Sequence, residues 1–557
     1  MKTFATLCAG AVIAAGIVSA AADSRLIDAV KARDADAVRT LIAQGADVNA
    51  AEGDGSTPLH WSAANGDMTI TEALLKAGAR VTAATRIGGM SPLFMAAKNG
   101  SAEVVAALLQ AGAEAREANS NGTTVLMMAA AAGSAPAVTM LLDRGADPDA
   151  KESTSGQTAL MFAAARNSAD AIRALLAHRA DPSVATRVLP LKRVRVDANG
   201  DPLPDGDAEK PAGRSSEKQA GGSAAPDQEK LPGVGFDKDG HPLRYKNDER
   251  VFGATVIGGM TALHFAAREG AAGATRALVE GGAAVNLVSG GEKTSPIVEA
   301  IINGHLDLAR YLLQHGADVR LANIDGLTPL YAAIDMRWRH NTWYPQPTIE
   351  QEQTDYLEFM RELLDHGADV NAPIARKLWF RKFRYGDDWV EPVGATPFWR
   401  AAQANDVDAM RLLAAHGADA SIKTYEGVSP LMVLAGAGYH GNDAITIPAG
   451  RMPAMSYLVE ELGANVNETD EIAGANTRTE HIYTRGYTPI HNAAARGDNE
   501  MILYLVSKGA RVDLVGKNGV TSVDMANSPR ERIEPFPETI KLLESLGAKN
   551  SHHCVAC

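Results

Sequence analysis

The amino-acid sequence predicts an all-α repeat solenoid with a long disordered insert in its middle. One observation is a helix–turn–helix stretch, Gly55 to Ala79, in which each boundary has a physical reason. The other is that its closing Gly-Ala turn returns after 33, 34 and 33 residues, at Ala46, Ala79, Ala113 and Ala146. Because units of this length bury their apolar faces only against their neighbours, we expect a stack of repeats rather than several globular domains.

The boundaries of the first regular unit follow from its residues. The Thr57 hydroxyl can cap a helix, and Pro58 fits the first turn, where its missing N–H costs no hydrogen bond. Leu59 opens the apolar face, and Asn65-Gly66-Asp67 ends the first helix and caps the second. Gly78 supplies a left-handed C-cap. We therefore predict two short helices in each unit.

The Thr-Pro-Leu-His opening, the two helices and the Gly-Ala turn together resemble the ankyrin repeat. The resemblance implies helix–turn–helix units with β-turn or hairpin fingers, and with a degenerate unit at each end we count twelve repeats. It also implies that the fourth residue of the opening, a His, hydrogen-bonds to backbone and ties adjacent repeats together. The motif positions that carry it are Thr57, Pro58, His60, His264, Thr328, Pro329, Thr488, Pro489 and His491.

Motif spacing and composition divide the chain into five segments. They are a signal peptide at 1–22, repeats one to five at 23–186, a largely disordered insert at 187–257, repeats six to twelve with insertions at 258–548, and a flexible tail at 549–557. The insert is rich in Pro, Gly, Ser, Glu and Lys from Asp205 to Gly235, so burial cannot offset its ordering entropy. Just before this stretch, Val188 to Val196 alternates in part, as a strand does.

Two stretches of the insert, Asp197–Gly200 and Asp237–Gly240, resemble half of a calcium loop. Neither has the full set of oxygen ligands that such a loop needs, so we interpret both as turns. The regular opening that follows at Met260 carries no polar capping substitutions. We therefore predict that repeats five and six stack on each other across the insert.

The N-terminus is typical of a secretory signal peptide, with Lys2, an apolar run from Phe4 to Val18 and then small residues. We expect a periplasmic or secreted protein without an integral membrane segment once this peptide is removed. The net charge of −13 argues against nucleic acid as the main partner. Only Cys554 and Cys557 would remain after the signal is removed, so repeat packing rather than disulfides must supply the stability.

The second block of repeats carries insertions at two kinds of position. Arg337–Gln353 and Ala437–Pro453 fall between the two helices of a repeat. Pro373–Val393 and Glu468–Arg485 fall between one closing turn and the next opening, where proteins of the ankyrin family place their fingers. The insert at 187–257 has the same placement, so we expect all three to extend a binding edge.

Aromatic residues are scarce but concentrate, among Arg and Lys, in two of these insertions. That composition is typical of an interface hot spot. The alternative is that the aromatic side chains pack the insertions onto the solenoid. The candidate partner-binding residues are Trp338, Arg339, Trp343, Tyr344, Trp379, Phe380, Arg381, Tyr385 and Trp389.

No catalytic set, cofactor motif or metal-ligand spacing stands out, so we expect a non-enzymatic protein without a cofactor. Gly436–Gly441 matches Gly-x-Gly-x-x-Gly, but a helix rather than a strand precedes it, which favours an inter-helix loop. Cys554 and Cys557 would attach a c-type haem only if a His followed them.

The leading hypothesis is an exported, monomeric scaffold that binds another protein through the concave face and fingers of an ankyrin solenoid. The alternatives are a fragment of a c-type haem electron-transfer protein and a secreted effector acting on host proteins.

Overall fold

Twelve consecutive helix pairs make up the described part of the chain, which agrees with the predicted all-α repeat architecture and repeat count. The computed structural model describes residues 24–190, 235–236, 242–243, 256–338, 351–376, 378, 392–437, 447, 449–470, 486–517, 519–527 and 535–552.

The first helices of the pairs are α1 (24–31), α3 (Pro58–Asn65), α5 (Pro92–Asn99), α7 (Val125–Ala131), α9 (Ala159–Ala165), α11 (Ala262–Arg268), α13 (Pro296–Ile302), α15 (Pro329–Arg337), α17 (Pro397–Gln403), α19 (Pro430–Ala435), α21 (Pro489–Ala495) and α23 (Ser522–Ala526). The second helices are α2 (Ala35–Ala43), α4 (Met68–Lys76), α6 (Ala102–Gln110), α8 (Ala135–Asp143), α10 (Ala169–Ala177), α12 (Ala272–Glu280), α14 (Leu306–Gln314), α16 (Tyr356–Asp365), α18 (Val407–Ala415), α20 (Arg451–Ser456) continued by a π-helical turn (Tyr457–Glu461), α22 (Asn499–Ser507) and α24 (Pro537–Ser545).

The helix boundaries have the predicted caps. Thr57 is the N-cap of α3 with Pro58 in the first turn, and Gly66 ends that helix at φ +67°. The Asp67 carboxylate accepts a hydrogen bond from the Ile70 N–H at 3.0 Å and so caps α4. The expected insertion Ala437–Pro453 is shorter than predicted, because α20 already begins at Arg451. Pro453 is tolerated in that first turn since the amide there has no intrahelical acceptor.

The chain forms two compact units. Unit one comprises residues up to Arg187, Gly258–Leu321 and Pro347–Phe359. Within it the first helices pack in order from α3 to α13, and the second helices from α2 to α12. Its core contains a fully buried row with one Leu from each of several openings, including Leu59, Leu93 and Leu126.

Repeats five and six stack directly within unit one, in agreement with the prediction. Helix α9 packs on α11 and α10 packs on α12, although the long insert separates them in sequence. The side-chain oxygen of Asn167 accepts a hydrogen bond from the Ala274 N–H at 2.8 Å across the junction.

Unit two comprises Val188–Ile257, Ala322–Gln346 and Met360–Cys557. Its first helices pack in order from α15 to α23. The core is more aromatic than that of unit one, and Tyr331, Phe398, Trp399 and Tyr487 are all fully buried.

Four short strands lie in or beside the long insert. β1 (Val188–Pro190) pairs with β4 (Val256–Gly258), which places a strand at the start of the predicted Val188–Val196 segment. β2 (Gly235–Phe236) pairs antiparallel with β3 (Pro242–Leu243). The turns predicted at Asp197–Gly200 and Asp237–Gly240 and the signal peptide lie outside the described residues. So does the disordered stretch predicted from Asp205 to Gly235, except for Gly235 itself, which begins β2.

No helix in the described ranges has the length and apolar composition needed to cross a membrane.

Candidate interaction surface

Each loop between a closing turn and the next first helix forms a finger closed by one backbone hydrogen bond. In the finger before α5, the Thr85 N–H donates to the Met90 carbonyl at 2.9 Å. The Thr85 hydroxyl oxygen accepts from the Met90 N–H at 3.0 Å. The finger before α13 repeats both bonds with Ser289 and Thr294. We call the backbone bond the finger base.

Neighbouring fingers of unit one are hydrogen-bonded to one another. The Arg86 N–H donates to the Asp54 carbonyl at 2.7 Å, and the Ser120 N–H donates to the Gly88 carbonyl at 2.9 Å. The Ser153 amide continues the series by donating to Asn121 at 2.9 Å. The fingers therefore form a ladder along one edge of the unit.

Three of the predicted insertions start and end at a closed finger base. The Thr186 N–H donates to the Met260 carbonyl at 3.0 Å, and the Ile374 N–H donates to the Ala395 carbonyl at 3.0 Å. The third base joins Asp470 and Tyr487 at 3.1 Å. These bases lie close to the ends of the insertions predicted at 187–257, 373–393 and 468–485, and most residues of the insertions lie outside the described ranges.

The flanks of the longest insertion reproduce an ordinary finger, a feature that the sequence analysis did not find. Thr-Arg-Ile-Gly-Gly-Met occurs without interruption at 85–90. The same six residues are split at 186–187 and 257–260, with 188–256 between them. Both Gly pairs have positive φ, +83° and +64° in one finger and +93° and +67° in the other. A self-comparison of the finger sequences would have revealed the match.

The signature His residues join neighbouring repeats, as the resemblance implied. The N–H of Thr57 donates to His60 Nδ1 at 3.1 Å, so the neutral ring carries its proton on Nε2. Nε2 lies 3.0 Å from the Met90 carbonyl of the next repeat and donates to it. His264 makes the same contact with the Thr294 carbonyl at 3.0 Å.

His491 keeps the first half of this arrangement, with its Nδ1 2.8 Å from the Thr488 hydroxyl oxygen. Its Nε2 has no hydrogen bond of standard geometry among the described residues, although the Val520 carbonyl is near enough to raise its pKa slightly. Burial is the stronger effect and lowers the pKa of His491, like that of His264, to about 4.

Other residue types replace His at the same position, which the sequence analysis missed. Trp399 is fully buried and its Nε1–H donates to the Val428 carbonyl at 3.0 Å, the bond that His makes elsewhere. The Asp524 carboxylate accepts from the Thr521 N–H at 2.8 Å, which replaces the Nδ1 half of the contact. Position in the sequence identifies these replacements, because each is the third residue after the N-cap of its helix.

A second set of inter-repeat bonds comes from Asn residues three positions after the Ala of a closing turn. The Asn286 amide donates to the Gly316 carbonyl at 2.9 Å and accepts from the Asp318 N–H at 2.7 Å. Asn467 does the same with Gly509 and Arg511. The recurring Val-Asn pair in the sequence was the available signal.

A row of large apolar side chains runs along the first helices of unit one. Each is the fourth residue after its N-cap and each is half-buried: Trp61, Met95, Met128 and Phe162. The Trp61 Nε1–H donates to Glu52, in the adjacent finger, at 2.7 Å. Trp61 therefore lies where its first helix meets a finger. We call these four residues the apolar row.

After Phe162, the residues at the position of the apolar row are no longer half-buried apolar side chains. Phe265 is buried, and the Arg268 guanidinium lies 4.9 Å from its ring centre. Glu299 then takes the position and is half-buried. Burial is the main cause that raises its pKa to about 7, with Glu292 and Glu269 acting in the same direction and Arg268 against it.

Of the nine candidate partner-binding residues, only Trp338 lies within the described ranges. It is 8% exposed, and its Nε1–H donates to the Asp406 carboxylate at 2.6 Å. Its carbonyl accepts from Arg400, whose guanidinium forms a buried 2.9 Å ion pair with Asp335. Trp338 is thus buried and hydrogen-bonded within unit two.

The other eight, Arg339, Trp343, Tyr344, Trp379, Phe380, Arg381, Tyr385 and Trp389, lie outside the described residues, as do Cys554 and Cys557. Within the described ranges, no group of three or more His, Cys, Asp or Glu side chains is arranged to hold a metal ion.

Comparison with known proteins adds sequence relatives to this geometry. The protein of Latrodectus tredecimguttatus named alpha-latrocrustotoxin-Lt1a is 24% identical over 42% of this chain and 13% of its own length. An ankyrin repeat protein of Rickettsia felis is 33% identical over 20% of this chain and 46% of its own. Ankyrin repeat domain-containing protein 37 of Bos taurus is 34% identical over 15% and 53%. The chain thus spans about half or less of the length of each relative.

Family profiles match a larger part of the sequence. The profile described as ankyrin repeats in three copies matches residues 26–119, 93–186, 245–323 and 263–374. The profile for a single ankyrin repeat matches 485–517. Together these matches cover more than half of the chain, which shows that it belongs to the ankyrin-repeat family.

Proposed function

We propose that this protein is an exported scaffold that binds another protein through the face formed by its first helices and fingers. The observation that carries the proposal is that three long insertions start and end at closed finger bases. A base holds the ends of an insertion at the separation found in an ordinary finger, so lengthening leaves the repeat frame intact. We therefore expect the additional chain to extend the edge available to a partner, where it would add contact area.

The contacts within the helix openings of this chain support a binding role rather than a catalytic one. The buried polar side chains of the openings, such as His264, Trp399 and Asp524, are used in bonds between or within repeats. An ankyrin repeat is generally a protein-interaction module. Affinity would come from a few large side chains on this face.

A capture experiment with matched deletions tests the binding site. The full chain would be cross-linked in cells of the source organism and its partner identified by mass spectrometry. Removing residues 379–389 retains the base formed by Ile374 and Ala395 and should weaken partner binding at least tenfold. Leu503→Glu, an exposed change on second helix α22, is the control and should leave it unchanged. Equal binding by the deletion protein would disprove the role of this finger.

Export is part of the proposal and rests on the N-terminal pattern of Lys2 and the apolar run Phe4–Val18. Fractionation of cells that produce the full chain should recover it, shortened near residue 22, outside the cytoplasm. Recovery of uncut protein from the cytoplasm would contradict export without affecting the binding face.

A further inference from the structure

The apolar row of unit one has a regular spacing that a partner can match. Trp61, Met95, Met128 and Phe162 occupy the same position on four successive packed helices. Packed helices lie about 8–10 Å apart, so the row offers one apolar contact at each such step. Residues seven apart in an α-helix lie on one face and are separated by about 10.5 Å, close to that step.

The chemistry of the row favours a helical partner over an extended one. The Trp61 Nε1–H is already bonded to Glu52, and Met95, Met128 and Phe162 carry no strong donor. An extended segment seated there would find few partners for its backbone N–H and C=O groups. A helix satisfies these groups internally and needs only apolar contact from the groove.

The far end of the row is acidic. Glu299 continues the series beyond Phe265, and Glu292 of the adjacent finger and Glu269, directly after α11, lie close enough to act on its charge. Arg268, whose charge acts on Glu299 in the opposite direction, forms a 3.0 Å ion pair with Glu269. A basic side chain brought by a partner would therefore find complementary charge at this end.

From the spacing, the lack of donors and the acidic end, we propose that the apolar row binds an amphipathic α-helix of the partner protein, with a Lys or Arg of that helix placed at Glu299. This rests on the proposed function and names the kind of segment that the first-helix face of unit one recognises.

The equivalent positions of unit two mark the row as specific to unit one. Ala332, Arg400, Val433, Asn492 and Met525 are each the fourth residue after an N-cap, and all are at most 7% exposed. Arg400 is committed to its ion pair with Asp335. The fourth positions of unit two therefore offer no comparable apolar row.

A displayed library of 25-residue peptides, selected on the full chain, tests the inference. Enriched sequences should carry apolar residues at i, i+3 or i+4, and i+7 with a basic residue towards one end. The best peptide, labelled and measured by fluorescence anisotropy, should bind Met128→Lys at least tenfold more weakly and Met128→Ala about threefold more weakly, since the truncation removes contact area without adding charge. Gln110→Lys, which adds the same charge at an exposed position on second helix α6, is the control and should bind normally.

A charge exchange tests the acidic end. Glu299→Lys should weaken the basic peptide tenfold or more and favour a peptide whose basic residue is replaced by Glu. Three outcomes would each overturn the inference. They are a selection without enrichment, enriched peptides that lack the apolar spacing, and peptide binding that is unchanged in both Met128 variants. If the captured partner depends on 379–389 but not on Met128, the scaffold proposal stands and this inference fails. If the peptide binds as expected but no partner is captured, the apolar row does bind a helix and the scaffold proposal fails.

Discussion

The buried His residues of the openings make the stability of this protein depend on pH. Burial lowers the pKa of His264 to about 4 from an ordinary value of 6.5. As the pH falls from 6.5 to 4, the His264 side chain takes up a proton in the unfolded chain before it does so in the folded protein. The stabilising contribution of the neutral ring is therefore complete above pH 6.5 and is lost towards pH 4.

His264→Met isolates this effect, because Met127, Met161 and Met432 occupy the same position in other repeats. We expect wild type to be the more stable protein at pH 7.5, and the difference to shrink by roughly 3 kcal/mol by pH 4. Urea unfolding at several pH values measures it. The raised pKa of Glu299 has the opposite effect, since stability is lost as the pH rises from 4.5 to about 7. Both proteins contain Glu299, so this contribution cancels in the difference between their unfolding free energies. A difference independent of pH would contradict the buried, neutral His264.

Two tryptophans allow a matched test of inter-repeat bonding. Trp399→Phe keeps the buried ring but removes one of two donors to the Val428 carbonyl, which retains the Thr424 N–H at 3.0 Å in a residue only 1% exposed. We expect a loss of about 1 kcal/mol in unfolding free energy. Trp61→Phe removes a similar bond to Glu52, but that carboxylate retains Lys31 at 2.6 Å and some solvent, so about 0.5 kcal/mol should be lost. Equal losses would show that the Trp399 bond is not part of the frame.

At the scale of elements, the fingers depend on glycines that allow one loop to lie against the next. Gly427 has φ +81°, and a Cβ there would lie 2.0 Å from the Asp470 carbonyl oxygen of the following finger. Gly417 has φ +90° and no heavy atom within 4 Å of the same added carbon. The two positions share the left-handed backbone and differ only in their surroundings.

Gly417→Ala should therefore cost only backbone strain, about 1 kcal/mol. Gly427→Ala must in addition displace the Asp470 backbone and should cost about 3 kcal/mol or more. Thermal unfolding compares them, and amide hydrogen exchange at Asp470 and Tyr487 should increase in Gly427→Ala alone. Similar melting of the two variants would show that the fingers do not pack closely.

The elements were largely predictable from sequence because their signals are local. Thr57-Pro58 and Asn65-Gly66-Asp67 fix helix ends through caps that involve three or four neighbouring residues. Trp399 was not predictable as an inter-repeat donor, since its acceptor, Val428, is 29 residues away. The exposure of Trp338 also depended on distant residues, Asp406 and Arg400, that composition cannot reveal.

At the scale of the whole molecule, the long insertion should be dispensable for folding. Deleting 188–256 joins Arg187 to Ile257 and restores Thr-Arg-Ile-Gly-Gly-Met, the finger found at 85–90. The shorter loop lowers the entropic cost of loop closure, so we expect a folded protein that is up to about 2 kcal/mol more stable. Circular dichroism, sizing and thermal melting measure this.

A longer deletion, 188–259, is the control because it also removes Gly258 and Gly259, which have positive φ. It should melt lower than the shorter deletion. If removing 188–256 alone separates or unfolds the repeats on either side, the insertion itself holds them together.

The matching flanks at 85–90 and 186–260 also bear on how such a chain can change over generations. The Thr186 N–H is bonded to the Met260 carbonyl across the insertion, as the Thr85 N–H is to the Met90 carbonyl in the uninterrupted finger. We therefore expect the repeat after Met260 to keep its place whether one residue or many separate Arg187 from Gly258. A coding cassette can then be gained, lost or exchanged at this junction without altering the helices downstream. Selection for a new partner can act on the cassette while selection for stability acts on the repeats.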